Sequence, residues 1–340
     1  MVWVLAGIIL VLFVATIAGL IYYEKMIKEL GAAEEVVAER YPRLYAYIAD
    51  DPESKLSNSI YKEISEYAKN NGCYVEMTGQ NLSTSYSKTD RINIAISSKV
   101  DGIILEGDRS NETLALIDKA AEEGIPVVTV LSDCVSEDPD TKPSRKSFID
   151  LNNYRLGSEY GIQLAKIESE REFKDPLKVL ILHDIDESNS EDIIHRSISE
   201  AAKGRNIELT EQGVNISTPF STQESILNIL DELKTIPDVI ICLNDRTSES
   251  AVQCIVEKNL VGKTRILAYN DSETVLKGIA KGSVYATFAP EKNIVAEKCV
   301  SALSEYIDKG IVSEYTNSNY ILINSDNVGG YLGGEEDDET

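Results

Sequence analysis

The sequence predicts an α/β protein of two lobes, each a doubly wound parallel sheet, preceded by one transmembrane helix. Three observations predict it. Short β-branched runs alternate with amphipathic stretches from Tyr41 to Asn327. That alternation stops and restarts at Leu177. The residues Val2 to Tyr23 form an apolar run without a single charge. Strands alternating with helices of about 10 to 15 residues specify parallel sheets with right-handed crossovers, and two successive sets specify two lobes.

The run VWVLAGIILVLFVATIAGLIYY (residues 2–23) makes about 33 Å of helix, enough for a hydrocarbon core of about 30 Å. Trp3 lies near one end, and Tyr22 and Tyr23 lie at the other, which suits the two interfaces. A cleaved secretory signal is the competing reading. It lacks a basic n-region here, its apolar stretch is too long, and no small-x-small site follows at once. Lys25 and Lys28 follow the span and nothing basic precedes it, which on the positive-inside rule favours a cytoplasmic C-terminal side.

Glu24 to Arg40 reads as a charged helical stalk with Met26, Ile27, Leu30, Val36 and Val37 as its apolar positions; a short coiled-coil contact is the alternative. The first lobe opens with the strand RLYAYIAD and a helix from about Leu56 to Asn71, on which Ile60, Ile64, Tyr67 and Ala68 share a face. CYVEMT, a helix near Thr84 to Ser98, and VDGIILEG follow. The last is a near-continuous apolar run of the kind buried on both faces. A helix from Glu112 to Glu123 stops at Gly124, and IPVVTVLS is the fourth strand. The second set runs LKVLILHD, a helix to Gly204, a weak strand near Ile207, a helix near Glu224 to Lys234, DVIICLN, a helix from Glu249 to Asn259, TRILAYN, a helix near Glu273 to Lys281, and SVYATFA. The glycine-rich acidic end, residues 329–340, reads as disordered.

Composition excludes several classes. With 57 acidic and 33 basic residues the formal charge is −24, and no cluster of Lys and Arg offers a surface to nucleic acid. Cys73, Cys134, Cys242, Cys254 and Cys299 are scattered without metal-ligand spacing and read as buried free thiols. His183 and His195 are the two histidines, too few for a histidine-rich metal site. The chain has no G-x-S-x-G, Walker or G-x-G-x-x-G motif; His183–Asp184 at a strand end is the one arrangement of catalytic type. The expectation is a non-enzyme without cofactor or metal.

VDGIILEGDRSNETLALIDKAAEEGIPVVTV (residues 100–130) resembles the hallmark strand–helix–strand of type I periplasmic binding proteins, the family that includes ribose- and galactose-binding proteins and the cores of lactose-repressor-like regulators. NNYRLGSEYG resembles the family's crossing segment, DVIICLNDRTSESAV its Asn-Asp strand end, and residues 264–293 the run through the second lobe's last strand. The four occur in order over nearly all of Tyr41 to Asn327. The basic helix-turn-helix of the repressor members is replaced here by the apolar segment.

The resemblance implies a three-crossing hinge, with crossings near Asp150, Pro290 and Ser313, closing on a small polar ligand. The expected divisions are an anchor at 1–24, a stalk at 25–41, lobe 1 at 42–150 plus 291–313, lobe 2 at 151–290 plus 314–328, and the tail. In open α/β sheets the ligand lies beyond the carboxyl ends of the strands, so residues after each strand are the site candidates. Asp50, Asp51 and Ser57 follow strand one; Leu56 and Ser57 occupy positions where the family places aromatics, so a stacking platform is lost. Glu106 and Asp108 end strand three and could equally be a solvated loop. Asp133 lies two residues past the family's usual acidic position, and Arg196 falls where a sugar-binding arginine is expected or pairs with Glu200 on its own helix. Asn244 and Asp245 match the family's pair, with helix capping as the alternative; Asn270 replaces a usual aspartate and could also cap, and Pro290 replaces a side-chain amide.

The expected function is capture of a small polar ligand, a carbohydrate, by an extracytoplasmic protein anchored through residues 2–23. The lobes are placed outside on the strength of the resemblance, against the basic-residue rule. The partner would be an ABC permease or a membrane sensor kinase. The alternative is a ligand-free two-lobed scaffold.

Overall fold

The computed structural model describes residues 41–79, 86–134, 143–172, 175–185 and 189–332 of the 340-residue chain. The apolar run Val2–Tyr23, the charged stretch that follows it and the end of the acidic tail lie outside the described residues. Among the described residues no helix is long and apolar enough to cross a membrane. From Arg43 onward the described residues form one compact unit that carries both lobes.

The first sheet contains β1 (Arg43–Ile48), β2 (Cys73–Met77), β3 (Gly102–Glu106), β4 (Val127–Val130), β5 (Ser147–Asp150) and β11 (Tyr315–Asn317). Their order is β11-β5-β4-β3-β1-β2, and every pairing is parallel. The connecting helices α1 (Lys55–Asn70), α2 (Lys88–Ser97) and α3 (Asn111–Glu122) each start at a serine whose side chain accepts a backbone N–H. The continuous apolar character of β3 and β4 is explained by burial of every residue in them. Sequence order reverses between β1 and β3, which makes that gap the switch point of the sheet.

The second sheet contains β6 (Leu177–Asp184), β7 (Ile207–Val214), β8 (Val239–Cys242), β9 (Arg265–Tyr269), β10 (Ala286–Pro290) and β12 (Tyr320–Asn324). It is ordered β12-β10-β9-β8-β6-β7, with β12 alone antiparallel. Its switch point lies between β6 and β8. The helices are α4 (Asn153–Ser169), α5 (Asn189–Ala202), α6 (Pro219–Glu232), α7 (Asp245–Glu257) and α8 (Glu273–Ala280). α9 (Lys292–Lys309) follows β10 and returns to pack against α1 of the first lobe.

Several boundaries differ from the sequence expectation. β5 and most of α4 were hidden in what reads as a crossing segment. α6 begins at Pro219, five residues before Glu224, because Thr218 and Ser221 form a reciprocal cap and proline suits the first helical position. The third crossing falls between Asn317 and Tyr320 instead of near Ser313, since Tyr315–Asn317 hydrogen-bonds alongside β5 in the first sheet. The start of the glycine-rich end is ordered: Val328–Gly330 forms a 3-10 turn, and buried Val328 joins the core of the second lobe. All five cysteines are buried and free.

α4 and α5 approach each other unusually closely. A Cβ added at Gly157 would collide with the Ile194 carbonyl, and one at Gly161 with the Ala201 methyl. These glycines set how deeply α5 lies, and α5 carries residues of the site described below. Gly161→Val forces the helices apart and is expected to cost about 1–3 kcal/mol. Urea unfolding with an unchanged m-value and a lower midpoint checks this; an unchanged midpoint rejects the close-packing account.

Candidate functional site

The carboxyl ends of the two sheets face each other across a cavity of about 350 Å³, within the range of small-molecule sites. Lobe 1 contributes Asp50 after β1, the segment Glu106–Arg109 after β3, and Leu131 and Ser132 after β4. Lobe 2 contributes Asp184 at the end of β6, Glu191 and Ile194 from α5, Leu243 to Asp245 after β8, and Tyr269 at the end of β9. Leu56, Leu151 and Asn153 complete the lining. Both switch points therefore open onto the same space.

Two glutamates are buried in the lining of this space, one from each lobe. Glu106 accepts hydrogen bonds from the Tyr47 hydroxyl and, at 2.8 Å, from the Asp50 N–H. Burial raises its pKa above the ordinary glutamate value, and hydrogen bonds from Tyr47, Asp50 and Ser57 oppose the shift. Glu191 accepts from the Asp184 N–H and from the Asn244 side-chain amide, each at 2.8 Å. Burial raises its pKa as well, against the opposing hydrogen bonds from Asn244 and Asp184.

Asn244 does two jobs at once. Its Oδ1 accepts the Thr247 N–H at 2.9 Å as the cap of α7, while its Nδ2 serves Glu191. Capping and cleft-lining are thus not alternatives at this position. Asp245, in the first turn of α7, accepts the Ser54 hydroxyl at 3.2 Å across the cleft. Asp50 and Asp108 share Lys88, at 2.7 and 2.8 Å. Asp108 also accepts the Ser110 N–H and the Thr113 hydroxyl, which fixes the turn into α3. Gly107 is required beside it, because a Cβ there would strike the backbone of residues 132–134.

The structure thus brings Asp50, Glu106, Asp108, Asn244 and Asp245 together at the cavity. It places the other expected residues elsewhere. Ser57 is buried behind the lining, where its hydroxyl supports Glu106. Asp51 forms an ion pair with Arg246 between the lobes. Asp133 is engaged by Arg145 through both carboxylate oxygens and by the Thr129 hydroxyl at 2.7 Å, so it joins strand ends inside lobe 1. Arg196 is exposed on α5 and does not line the cavity. It lies about 200° around the helix from Ile194, which does. Glu200, its anticipated partner, accepts the Tyr154 hydroxyl at 2.9 Å. Asn270 ends β9 in the left-handed region at φ 72°, with its side chain buried and its Oδ1 without a hydrogen-bond partner. His183 directs Nδ1 to the Asp184 carbonyl at 2.8 Å and is not part of the lining.

Residues missed from sequence include Glu191, Asp184, Tyr269 and the lysine and arginine of α2. Asp184 and Tyr269 obey the same strand-end rule that found Glu106. Arg91 is buried, and its guanidinium donates to the Ala49 carbonyl at 2.8 Å and the Asp50 carbonyl at 3.3 Å, which holds the β1–α1 turn in place.

Residues 46–311 match the periplasmic binding protein domain family. The chain belongs to that family. The resemblance to its type I members holds across both lobes, and no curated protein matches the sequence. Among solved structures, the chain is similar to GanP, a glucose-galactose binding protein from Geobacillus stearothermophilus, at 18% identity and a TM-score of 0.71 over 84% of this chain and 98% of that one. An ABC transporter periplasmic solute binding protein from Actinobacillus succinogenes with bound D-allose gives 17% identity and a TM-score of 0.74, covering 85% and 100%. XylFII in its complex with LytSN gives 20% identity and a TM-score of 0.69, covering 84% and 98%. The TM-scores show a shared fold.

Glu106 offers a test of the site's electrostatics. Its raised folded pKa means that its contribution to stability is complete below its ordinary value of 4.5 and is lost as pH rises through the folded value. Glutamine can still accept from the Asp50 N–H and donate to the Tyr47 oxygen, while carrying no charge. Glu106→Gln is therefore expected to gain stability relative to the wild type as pH rises above 4.5. Urea midpoints of both proteins across pH check this, and parallel curves would contradict it.

Proposed function

We propose that this chain is an extracytoplasmic receptor, anchored through residues 2–23, that captures a small polyhydroxylated ligand, a carbohydrate, between its lobes. One observation carries the reading: polar groups from the strand ends of both sheets converge on the same cleft at the two switch points. Hydroxyl-rich ligands need such convergent acceptors and donors. The solved relatives with glucose-galactose and D-allose in their descriptions support a sugar as the ligand. The fold family supports an external location for the lobes.

Presentation to a membrane sensor kinase is favoured over delivery to an ABC permease. A tether raises the effective concentration of the receptor for one neighbour, and XylFII forms a complex with a second protein, LytSN. Co-purification of a kinase or of a permease distinguishes the two.

Thermal melting of the full-length protein in detergent against sugars, polyols, nucleosides and amino acids tests the capture reading. Ligand at a hundredfold over Kd stabilises by about 2.7 kcal/mol, several degrees in melting temperature. The expected result is a shift confined to hydroxyl-rich ligands, and it should shrink in Tyr269→Ala, which removes the lining's aromatic face. A flat response from folded protein favours a ligand-free scaffold.

A further inference from the structure

One polar residue of the cleft lining is held in place by a residue outside it. Asn153, the first residue of α4, lines the cavity and is 4% exposed. Its Oδ1 accepts the Tyr320 hydroxyl at 2.8 Å, and its Nδ2 makes no hydrogen bond among the described residues. That nitrogen is not walled in like the orphaned Oδ1 of Asn270: it keeps accessible surface, and the space Asn153 borders is the cleft. Tyr320 opens β12 and stands outside the lining. Its hydroxyl lies 3.5 Å from that of Tyr269, and the two rings meet edge to face with centroids 6.0 Å apart. Accepting from Tyr269 while donating to Asn153 uses the Tyr320 hydroxyl in both senses. The reverse arrangement would turn the amide oxygen of Asn153 toward a lining that carries carboxylates from both lobes, whose field favours the amide hydrogens.

We infer that Asn153 binds the ligand by donating through Nδ2 to one of its acceptor oxygens, and that Tyr320 is the positioning residue that fixes the amide. The assignment rests on the capture reading above. Carboxylates receive the protons of a ligand's hydroxyls but offer nothing to its oxygen lone pairs, and a ring oxygen has only lone pairs to give. A neutral amide nitrogen supplies that complement. Its orientation is set in advance, which spares the ligand the cost of ordering it. The pair also sits at the pivot: Asn153 and Tyr320 follow the first and third crossings, which are joined by the Ser318 N–H donating to the Asp150 carbonyl at 2.7 Å. Both residues belong to elements of lobe 2, so the donor's orientation does not depend on how far the lobes have closed.

The test is a double-mutant cycle on the full-length protein in detergent, read as calorimetric Kd. The probe is whichever of D-glucose, D-galactose, D-allose, D-xylose, D-ribose and myo-inositol binds the wild type most tightly. Asn153→Ala is expected to weaken binding about tenfold and Tyr320→Phe, which keeps the ring, about threefold. The double variant should bind no more weakly than Asn153→Ala alone, because the Tyr320 hydroxyl acts through the amide. Asn153→Asp still accepts from Tyr320 but presents an oxygen to the ligand, and should bind no better than Asn153→Ala. Urea midpoints of the ligand-free proteins separate this from a structural role, which would lower the midpoints and leave Kd of the folded protein unchanged. An unaltered Kd in Asn153→Ala, or wild-type affinity in Asn153→Asp, overturns the donor assignment and leaves carbohydrate capture standing. Additive losses in the double variant overturn the positioning role of Tyr320. A folded wild type that binds none of the six probes overturns the capture reading and the donor assignment with it.

Discussion

A strand in a parallel sheet needs a crossover before the next can begin beside it, so all the carboxyl ends fall on one edge. Everything at the site depends on that constraint being met twice and on the two edges being turned toward each other. Glu106 and Asp184 terminate strands of different sheets, yet both line one cavity. Residues distant in sequence, such as Ser54 and Asp245, hydrogen-bond across it because each occupies the loop following a strand or the first turn after it.

An apolar cluster runs through both lobes, and ion pairs join them around the cavity. Asp51 pairs with Arg246 and Lys55 with Glu249 on one side; Arg109 pairs with Asp192 on another. Partly exposed pairs of this kind are worth about 0–1 kcal/mol each. Contacts this weak would add little to any resistance the lobes offer to a hinge movement. The buried carboxylates inside work in the opposite sense, because their desolvation opposes closure until something offsets it. The rim and the interior therefore place contrary demands on the same motion.

Much of the fold was legible because burial on both faces leaves a plain trace. GIILE, VVTV and VIIC are mostly apolar runs in the sequence and fully buried strands in the structure. Strands lacking that trace read faintly, as at Ile207, or were missed, as at Tyr315–Asn317. β7 alternates polar and apolar residues at the sheet edge, and β11 is three residues of mixed character. Site residues followed the same logic. Strand ends are the readable positions, since the backbone determines where they point: Glu106 was found that way, and Asp184 and Tyr269 were open to the same rule. Positions on helices are not, because a shift of two residues turns a side chain to the far side: Ile194 faces the cavity and Arg196 faces solvent. Asp133 satisfied the strand-end rule but was claimed by Arg145, a partner twelve residues away that no local pattern reveals.

The late return of the chain to lobe 1 has a bearing on biosynthesis. α9 covers α1, and β11 completes the first sheet, so the lobe that begins the folded region cannot be finished until residue 317 has been made. Lobe 2, whose strands β6 to β10 run continuously, is nearly whole by then. An emerging chain must therefore hold an incomplete first lobe, with the α9-facing side of α1 bare, through most of its synthesis. If the polypeptide crosses a membrane as it is made, that apolar surface is exposed on the far side first and longest. Chaperone demand during export should then fall on the amino-terminal half.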